Sequence, residues 1–193
     1  MTDSPYIKAN SITKAFGGET VLEDLSFEFN EPGIYIVEGD SGTGKTTLLR
    51  IIAGLETCDK GTVEKWGRIG YVFQEPRLFE NITLLENVRL VGEKKNSGGP
   101  GAGELLEAVG LGDAKQKTAA ESSGGMRQRA SICWAIYYRP DILLCDEPFS
   151  AVDETNAKLA ADLISLFAET GICIVATHGG ETPFERVRSV ISL

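Results

Sequence analysis

Short apolar alternations, among them Leu25, Phe27 and Phe29, run through the stretch from Tyr6 to Phe29 and are interrupted by a Gly17-Gly18 pair. A period of two belongs to a strand with one buried face, and paired glycines suit a tight reversal, so this segment predicts antiparallel strands in a small β layer. The pattern then changes. After Pro32-Gly33 comes the continuous apolar run Ile34-Tyr35-Ile36-Val37, then a glycine-rich turn, then Thr47–Ala53 with apolar positions at helical spacing; this predicts strand, loop and helix in succession. Ile142-Leu143-Leu144-Cys145 and Ile172-Cys173-Ile174-Val175 repeat the buried-strand pattern on either side of a helical stretch, Ala157–Ala168, an order that implies a parallel sheet with a right-handed crossover. Two more helical stretches, near Leu84–Val91 and Glu104–Val109, flank Asn96–Gly103, whose composition offers too little apolar surface to pack and predicts a mobile surface loop. The apolar residues of Val187–Leu193 predict a last strand, and no appended regulatory domain is expected after it.

Composition narrows the function classes. A chain of 193 residues suits one core. With 42% hydrophobic and 24% charged residues it has the make-up of a soluble globular protein, and no apolar run approaches the roughly 20 residues that span a bilayer. The start, Met1-Thr2-Asp3-Ser4-Pro5, lacks the basic and apolar segments of a secretory signal, so a cytoplasmic location is expected. Cys58, Cys133, Cys145 and Cys173 form no C-x-x-C pair, and His178 is the only histidine, so buried reduced thiols are expected rather than a zinc site. A net charge of −9 argues against general nucleic-acid binding, and an anionic ligand must be held by a local site.

Such a site is written at residues 39–46. Gly39-Asp40-Ser41-Gly42-Thr43-Gly44-Lys45-Thr46 fits G-x-x-x-x-G-K-[ST] between a predicted buried strand and a predicted helix, with Thr47 next in the chain. The same letters could cap an ordinary helix, but in this context the glycines let successive N–H groups turn inward. The following helix N-terminus adds partial positive charge, making a cradle for the β- and γ-phosphates of ATP. Lys45 would supply full charge and the Thr46 hydroxyl a ligand for Mg²⁺. Further on, the strand Ile142–Cys145 ends in Asp146-Glu147, placing two acids at the carboxyl edge of the sheet, where α/β folds bind ligands. Asp146 suits the Mg²⁺ shell, and Glu147, pointing the other way, suits a general base for the attacking water.

Further polar islands follow: Tyr71-Val72-Phe73-Gln74-Glu75-Pro76, then Glu121-Ser122-Ser123-Gly124-Gly125-Met126-Arg127-Gln128-Arg129, then Ser150-Ala151-Val152-Asp153, and His178 after Val175-Ala176-Thr177. With the phosphate loop and the acidic pair they make the chain resemble the ABC-type ATPases over nearly its whole length, with the motifs in the family's order. The resemblance implies an α/β P-loop NTPase with a parallel core sheet, an N-terminal antiparallel β layer and a helical subdomain. It would form a single domain over 1–193, with a RecA-like core of 1–75 and 138–193 and a helical subdomain of about 76–137. It implies that Gln74 reaches the metal and the attacking water, and that Ser123, Gly124 and Gly125 close on the ATP of an opposite subunit. Ser150 and Asp153 would belong to the D-loop, and His178 would contact the γ-phosphate. Phe16 either stacks on adenine or packs in the core.

The resemblance also implies partners: a second ATPase subunit in a head-to-tail dimer, and membrane permease subunits that would keep the protein on the inner face of the cell membrane. Exposed apolar residues among Phe79, Ile82, Leu84 and Leu85 would form the docking patch for them. The run Phe-Gln-Glu-Pro-Arg-Leu-Phe is similar to the importers of the nitrate, sulfonate and taurine group. Two other functions fit the same motifs: a soluble ABC-type ATPase acting on a nucleic-acid or protein complex, and a weakly hydrolysing regulatory subunit. The latter draws on two departures from the usual signature, Ser122 for leucine and Met126 for glutamine. Ser122 is expected to loosen the packing of the signature segment, since a buried leucine contributes about 1.5–3 kcal/mol. Met126 cannot donate the amide hydrogen bonds of glutamine, so closure of the dimer should be weaker than in a full-consensus subunit. Met126→Gln is therefore expected to raise steady-state ATP turnover, measured as phosphate release; unchanged turnover would clear Met126 of that role.

Overall fold

The computed structural model describes residues 4–92, 99–180 and 182–193. Met1-Thr2-Asp3 and residues 96–98 of the expected surface loop lie outside the described residues. The amino-terminal segment forms β1 (Tyr6–Phe16) and β2 (Glu19–Phe29), paired antiparallel from Ile7↔Phe29 to Phe16↔Glu19 around the two-glycine turn, as the alternation predicts. On the other edge of β1 lies β4 (Lys60–Trp66), giving the order β2-β1-β4. This strand carries no clear apolar alternation because it is an edge strand with most of its side chains in solvent, and only its pairing with β1 makes it a strand.

The second sheet is parallel throughout, in the order β5-β6-β7-β3-β8, with β3 (Gly33–Glu38), β5 (Ile69–Val72), β6 (Ile142–Asp146), β7 (Ile172–Thr177) and β8 (Ser189–Ser192). Its inner strands are covered on both faces, which explains their unbroken apolar runs. Ile142, Leu144 and Ile174 face a core shared with Val37, Leu48, Leu49 and the antiparallel sheet. Leu143, Cys145 and Val175 face a second core shared with Leu84, Leu106, Ile132 and Ile164. The first core is closed by α1 (Lys45–Ala53). The second is closed by α2 (Leu84–Arg89), α3 (Ala102–Ala108), α4 (Gly124–Tyr137) and α5 (Glu154–Ala168).

Local sequence sets several element ends. A capping box joins Thr83 and Glu86 at the start of α2, satisfying two of the backbone donors that a helix start leaves open. Helix α3 begins at Ala102, inside the stretch expected to be loop, because the Gly101 N–H finds the Glu104 carboxylate at 2.7 Å. Leu84 (0% exposed) and Leu85 (8%) belong to the core and not to a docking patch, since α2 turns that face onto the sheet; Ile82 is half-buried and only Phe79, 67% exposed, stands out. The buried Asn87 fixes the turn before α2 by accepting from the Phe79 N–H and donating to the carbonyls of Phe79, Ile82 and Thr83. All four cysteines are free; Cys133, Cys145 and Cys173 are buried as expected, and Cys58 is half-buried.

Gly61 marks where the antiparallel sheet is tightest. It has φ +82°, and a Cβ there would lie 2.4 Å from the carbonyl oxygens of both Asn10 and Ser11, beside the β1 bulge. Gly61→Ala is therefore expected to lower stability by at least about 1–3 kcal/mol, the cost of a strained backbone position, in equilibrium urea unfolding.

Candidate functional site

The carboxyl ends of β3, β6 and β7 open onto one edge of the parallel sheet, and most of the predicted site residues gather there. Residues 39–44 link β3 to α1. Gly44, the N-cap, has φ +102°, and a Cβ on it would come within 2.7 Å of the Val21 carbonyl, so the loop can lie against β2 only as glycine. The Thr43 hydroxyl donates to the Asp40 carbonyl at 3.0 Å and tightens the turn. No acidic residue occupies the first turn of α1, so its open N–H groups and positive dipole end face the loop without competition. Lys45 is 4% exposed and donates to the carbonyls of Gly39 and Asp40, each at 2.7 Å. Its charge is thus held inside the cradle by oxygens of the loop itself. Ser41 and Gly42 are exposed at the loop's crest, and Thr46 and Thr47 are half-buried beneath it.

Asp146 ends β6 and is 3% exposed. Its Oδ1 accepts from the Thr46 hydroxyl at 3.0 Å and its Oδ2 from the Tyr71 hydroxyl at 3.4 Å. Burial pushes the Asp146 carboxyl above its usual range despite the Thr46 hydroxyl, which works the other way. Burial and the Asp146 charge likewise raise Tyr71, keeping its phenol protonated as a donor. Tyr71 opens the stretch in which the resemblance singles out Gln74, and nothing in that stretch signals that the Tyr71 hydroxyl has a partner across the sheet.

Glu147 turns the chain with φ +48°, a left-handed conformation uncommon outside glycine, while its N–H still pairs with the Ala176 carbonyl at 3.1 Å. The turn sends its side chain away from Asp146 and toward two neighbours. Glu147 Oε1 lies 2.8 Å from His178 Nε2, and Oε2 accepts from Gln74 Nε2 at 3.1 Å. Gln74 therefore sits on the Glu147 carboxylate, whereas the Thr46–Asp146 pair lies on the other arm of the site. Hard oxygen donors at the Thr46–Asp146 junction are of the kind Mg²⁺ takes.

The remaining predicted residues lie apart from this cluster. Ser123 caps α4 by accepting from the Met126 N–H at 3.2 Å, and Gly125 lies so close to the next turn that a Cβ would meet the Ala151 carbonyl at 2.7 Å. Gly124 begins α4 beside it, and Ser150 is exposed. Asp153 is committed to capping α5, taking Asn156 N–H and Nδ2 at 3.2 and 2.7 Å, and these bonds hold its carboxyl below the usual range. Among the described residues, no hydrogen bond joins Ser123, Gly124 or Gly125 to residues 39–46. Ser122 does not leave the loose segment expected of it: it is buried and donates to the Thr118 carbonyl at 2.8 Å, within a turn that Thr118 and Glu121 also close. Phe16, 48% exposed at the end of β1, is outside the core; the Lys14 ammonium lies 4.9 Å from its ring centre and is itself paired with Glu56 and Asp59.

Residues 22–150 match the family described as ABC transporter. The aliphatic sulfonates import ATP-binding protein SsuB 2 of Burkholderia lata is 37% identical over 187 residues, covering 92% of this chain and 68% of that protein. The sulfate/thiosulfate import ATP-binding protein CysA of Nitrosomonas europaea is 37% identical over 200 residues, covering 93% of this chain and 55% of that protein. Among solved structures, the dimeric post-hydrolysis state of the ATP-binding cassette MJ0796 bound to ADP and Pi superposes with a TM-score of 0.78 at 27% identity, covering 90% of this chain and 88% of that one.

The raised Asp146 carboxyl has a consequence for stability. A carboxyl whose folded pKa exceeds its unfolded value binds its proton more tightly when folded, so its ionisation costs stability as pH rises through that window. Asp146→Asn is expected to raise the melting temperature of nucleotide-free protein at pH 7, with the gain shrinking as pH falls toward the usual carboxylate range; thermal unfolding at several pH values checks the sign.

Proposed function

This chain belongs to the ABC transporter family, and on that premise we propose that it is the ATP-binding, ATP-hydrolysing subunit that powers solute transport across a membrane. The observation that carries this is the gathering of Lys45, Thr46, Asp146, Glu147, Gln74 and His178 at one edge of the parallel sheet. Lys45 exchanges the carbonyls of Gly39 and Asp40 for the β- and γ-phosphate oxygens, while N–H groups of residues 39–47 line the cradle. Thr46 and Asp146 would hold Mg²⁺, which Gln74 would reach on rearrangement, and the bound ion would supply neutralisation of the phosphate charge. Tyr71 orients the Asp146 carboxylate.

Glu147 takes a proton from the water that attacks the γ-phosphorus, and the bond from that phosphorus to the β–γ bridging oxygen breaks, leaving ADP and phosphate. His178 holds the other Glu147 oxygen and contacts the γ-phosphate. Phe16 stacks on adenine from its exposed position. Ser123, Gly124 and Gly125 stand apart from the chain's own phosphate loop, which favours a head-to-tail dimer in which they close on the partner's ATP, with Ser150 and Asp153 alongside. The dimeric cassette superposed above supports that assembly.

Membrane permease subunits are the expected outer partners, with Phe79 on the docking side and residues 76–137 moving as a helical unit against 1–75 and 138–193. No described helix is long and apolar enough to cross a membrane, and attachment to the inner face would come through those partners. The two relatives named for import of sulfonates and of sulfate/thiosulfate favour an importer of a small oxyanion such as a sulfonate over an ATPase acting on nucleic acid.

Two substitutions test this. Lys45→Ala is expected to weaken ATP binding about 10- to 100-fold, as loss of a charged hydrogen bond worth about 1.5–3 kcal/mol implies. Glu147→Gln is expected to keep ATP and accumulate a closed dimer that draws down a polytopic membrane protein from solubilised membranes. Rapid turnover by Glu147→Gln would remove Glu147 from the base role, and capture of soluble partners or nucleic acid alone would overturn the transport role.

A further inference from the structure

We propose that Gln128 is a positioning residue that couples the helix carrying Ser123–Gly125 to Gln74 and, through it, to Glu147. Gln128 lies on α4 with 0% exposure, and its Nε2 donates to the Phe73 carbonyl at 3.2 Å. That carbonyl shares its planar peptide unit with the N–H of Gln74, so Gln128 grips the backbone at the root of the Gln74 side chain. Gln74 Nε2 in turn donates to Glu147 Oε2 at 3.1 Å, and Glu147 Oε1 meets His178 at 2.8 Å. A continuous set of polar contacts thus runs from α4 to the carboxylate assigned as base, and the proposal rests on the roles given above to Gln74 and Glu147.

Packing alone gives no reason for an amide at this position. Along α4 the neighbouring Arg129, Ala130, Ser131, Ile132 and Cys133 are buried too, and the Gln128 Oε1 has no hydrogen-bond partner among the described residues. A methionine would fill similar space without burying an orphaned oxygen. The one bond the amide does make goes to the backbone of the strand end that carries Gln74. Phe73 is fixed from its other sides, its ring stacked on Tyr71 at 4.3 Å and covered by the Arg77 guanidinium at 4.1 Å. Because Ser123 caps the same helix, a displacement of the helix start by a dimer partner is carried by α4 to Gln128 and on to Gln74.

The test combines ATP turnover, ATP affinity and amide hydrogen exchange over residues 72–76 in the full chain. The variants are Gln128→Met, Gln128→Asn, whose amide is one methylene too short to reach Phe73, Gln74→Ala, and the Gln74→Ala/Gln128→Met pair. Expected for Gln128→Met is an ATP Kd within about twofold of wild type, kcat lower by about tenfold, and exchange at 72–76 faster by about tenfold, with the pair no slower in turnover than Gln74→Ala alone. Gln128→Asn should match Gln128→Met, and it carries the test if the methionine variant does not fold. Exchange at 72–76 within about twofold of wild type, or turnover losses of the two single variants that multiply in the pair, would overturn the coupling. Exchange does not depend on catalysis, so failure of Glu147 as base, seen as turnover by Glu147→Gln, is distinguishable from failure of the Gln128 contact.

Discussion

Asp146 is an ionisable group at the end of a strand covered on both faces, and the site is arranged around satisfying it. A carboxylate with 3% exposure cannot draw on water, and burial without partners is costly. The Thr46 hydroxyl and the Tyr71 hydroxyl each take one of its oxygens, which ties the start of α1 and the end of β5 to the end of β6. Those contacts set the phosphate loop at a fixed height over the acidic pair. The next residue leaves the same crowded corner by a left-handed turn, and Glu147 is thereby aimed at Gln74 and His178.

Lys45 shows the same economy with the opposite charge. Its ammonium is buried, and the carbonyls of Gly39 and Asp40 supply the oxygens that phosphate would otherwise provide. The loop is thus closed on itself through its own lysine, and an incoming phosphate competes with backbone oxygens for a donor already in place. Gly44, pressed against the Val21 carbonyl, transmits the position of the antiparallel sheet to the loop. The small β layer thereby forms one wall of the cradle.

On the other face of the sheet, helices α2 to α5 share one core with the odd-facing residues of β6 and β7. Gly125 against Ala151 joins the start of α4 to the turn before α5, and Gln128 joins the same helix to the end of β5. One helix therefore touches both turns that lead from the sheet edge.

The sequence was decisive wherever chemistry depends on neighbours along the chain. The phosphate loop needs consecutive small residues followed by Lys-Thr, and the acidic pair needs an apolar strand before it; both patterns are local, and both stand where they were expected. The strands with unbroken apolar runs were legible for the same reason, since burial on two faces removes alternation. Strand β4 was not, because an edge strand is defined by its partner and not by its own period. Leu84 and Leu85 were misassigned to a surface because periodicity shows that a helix has an apolar face but not what covers it. Tyr71 on Asp146, Lys14 on Glu56 and Asp59, and Gln128 on Phe73 join residues far apart in the chain. Which groups can act was determined by sequence; which of them touch was decided by tertiary structure, because a hydrogen bond depends on distances of a few ångströms that only the packed sheet and helices fix.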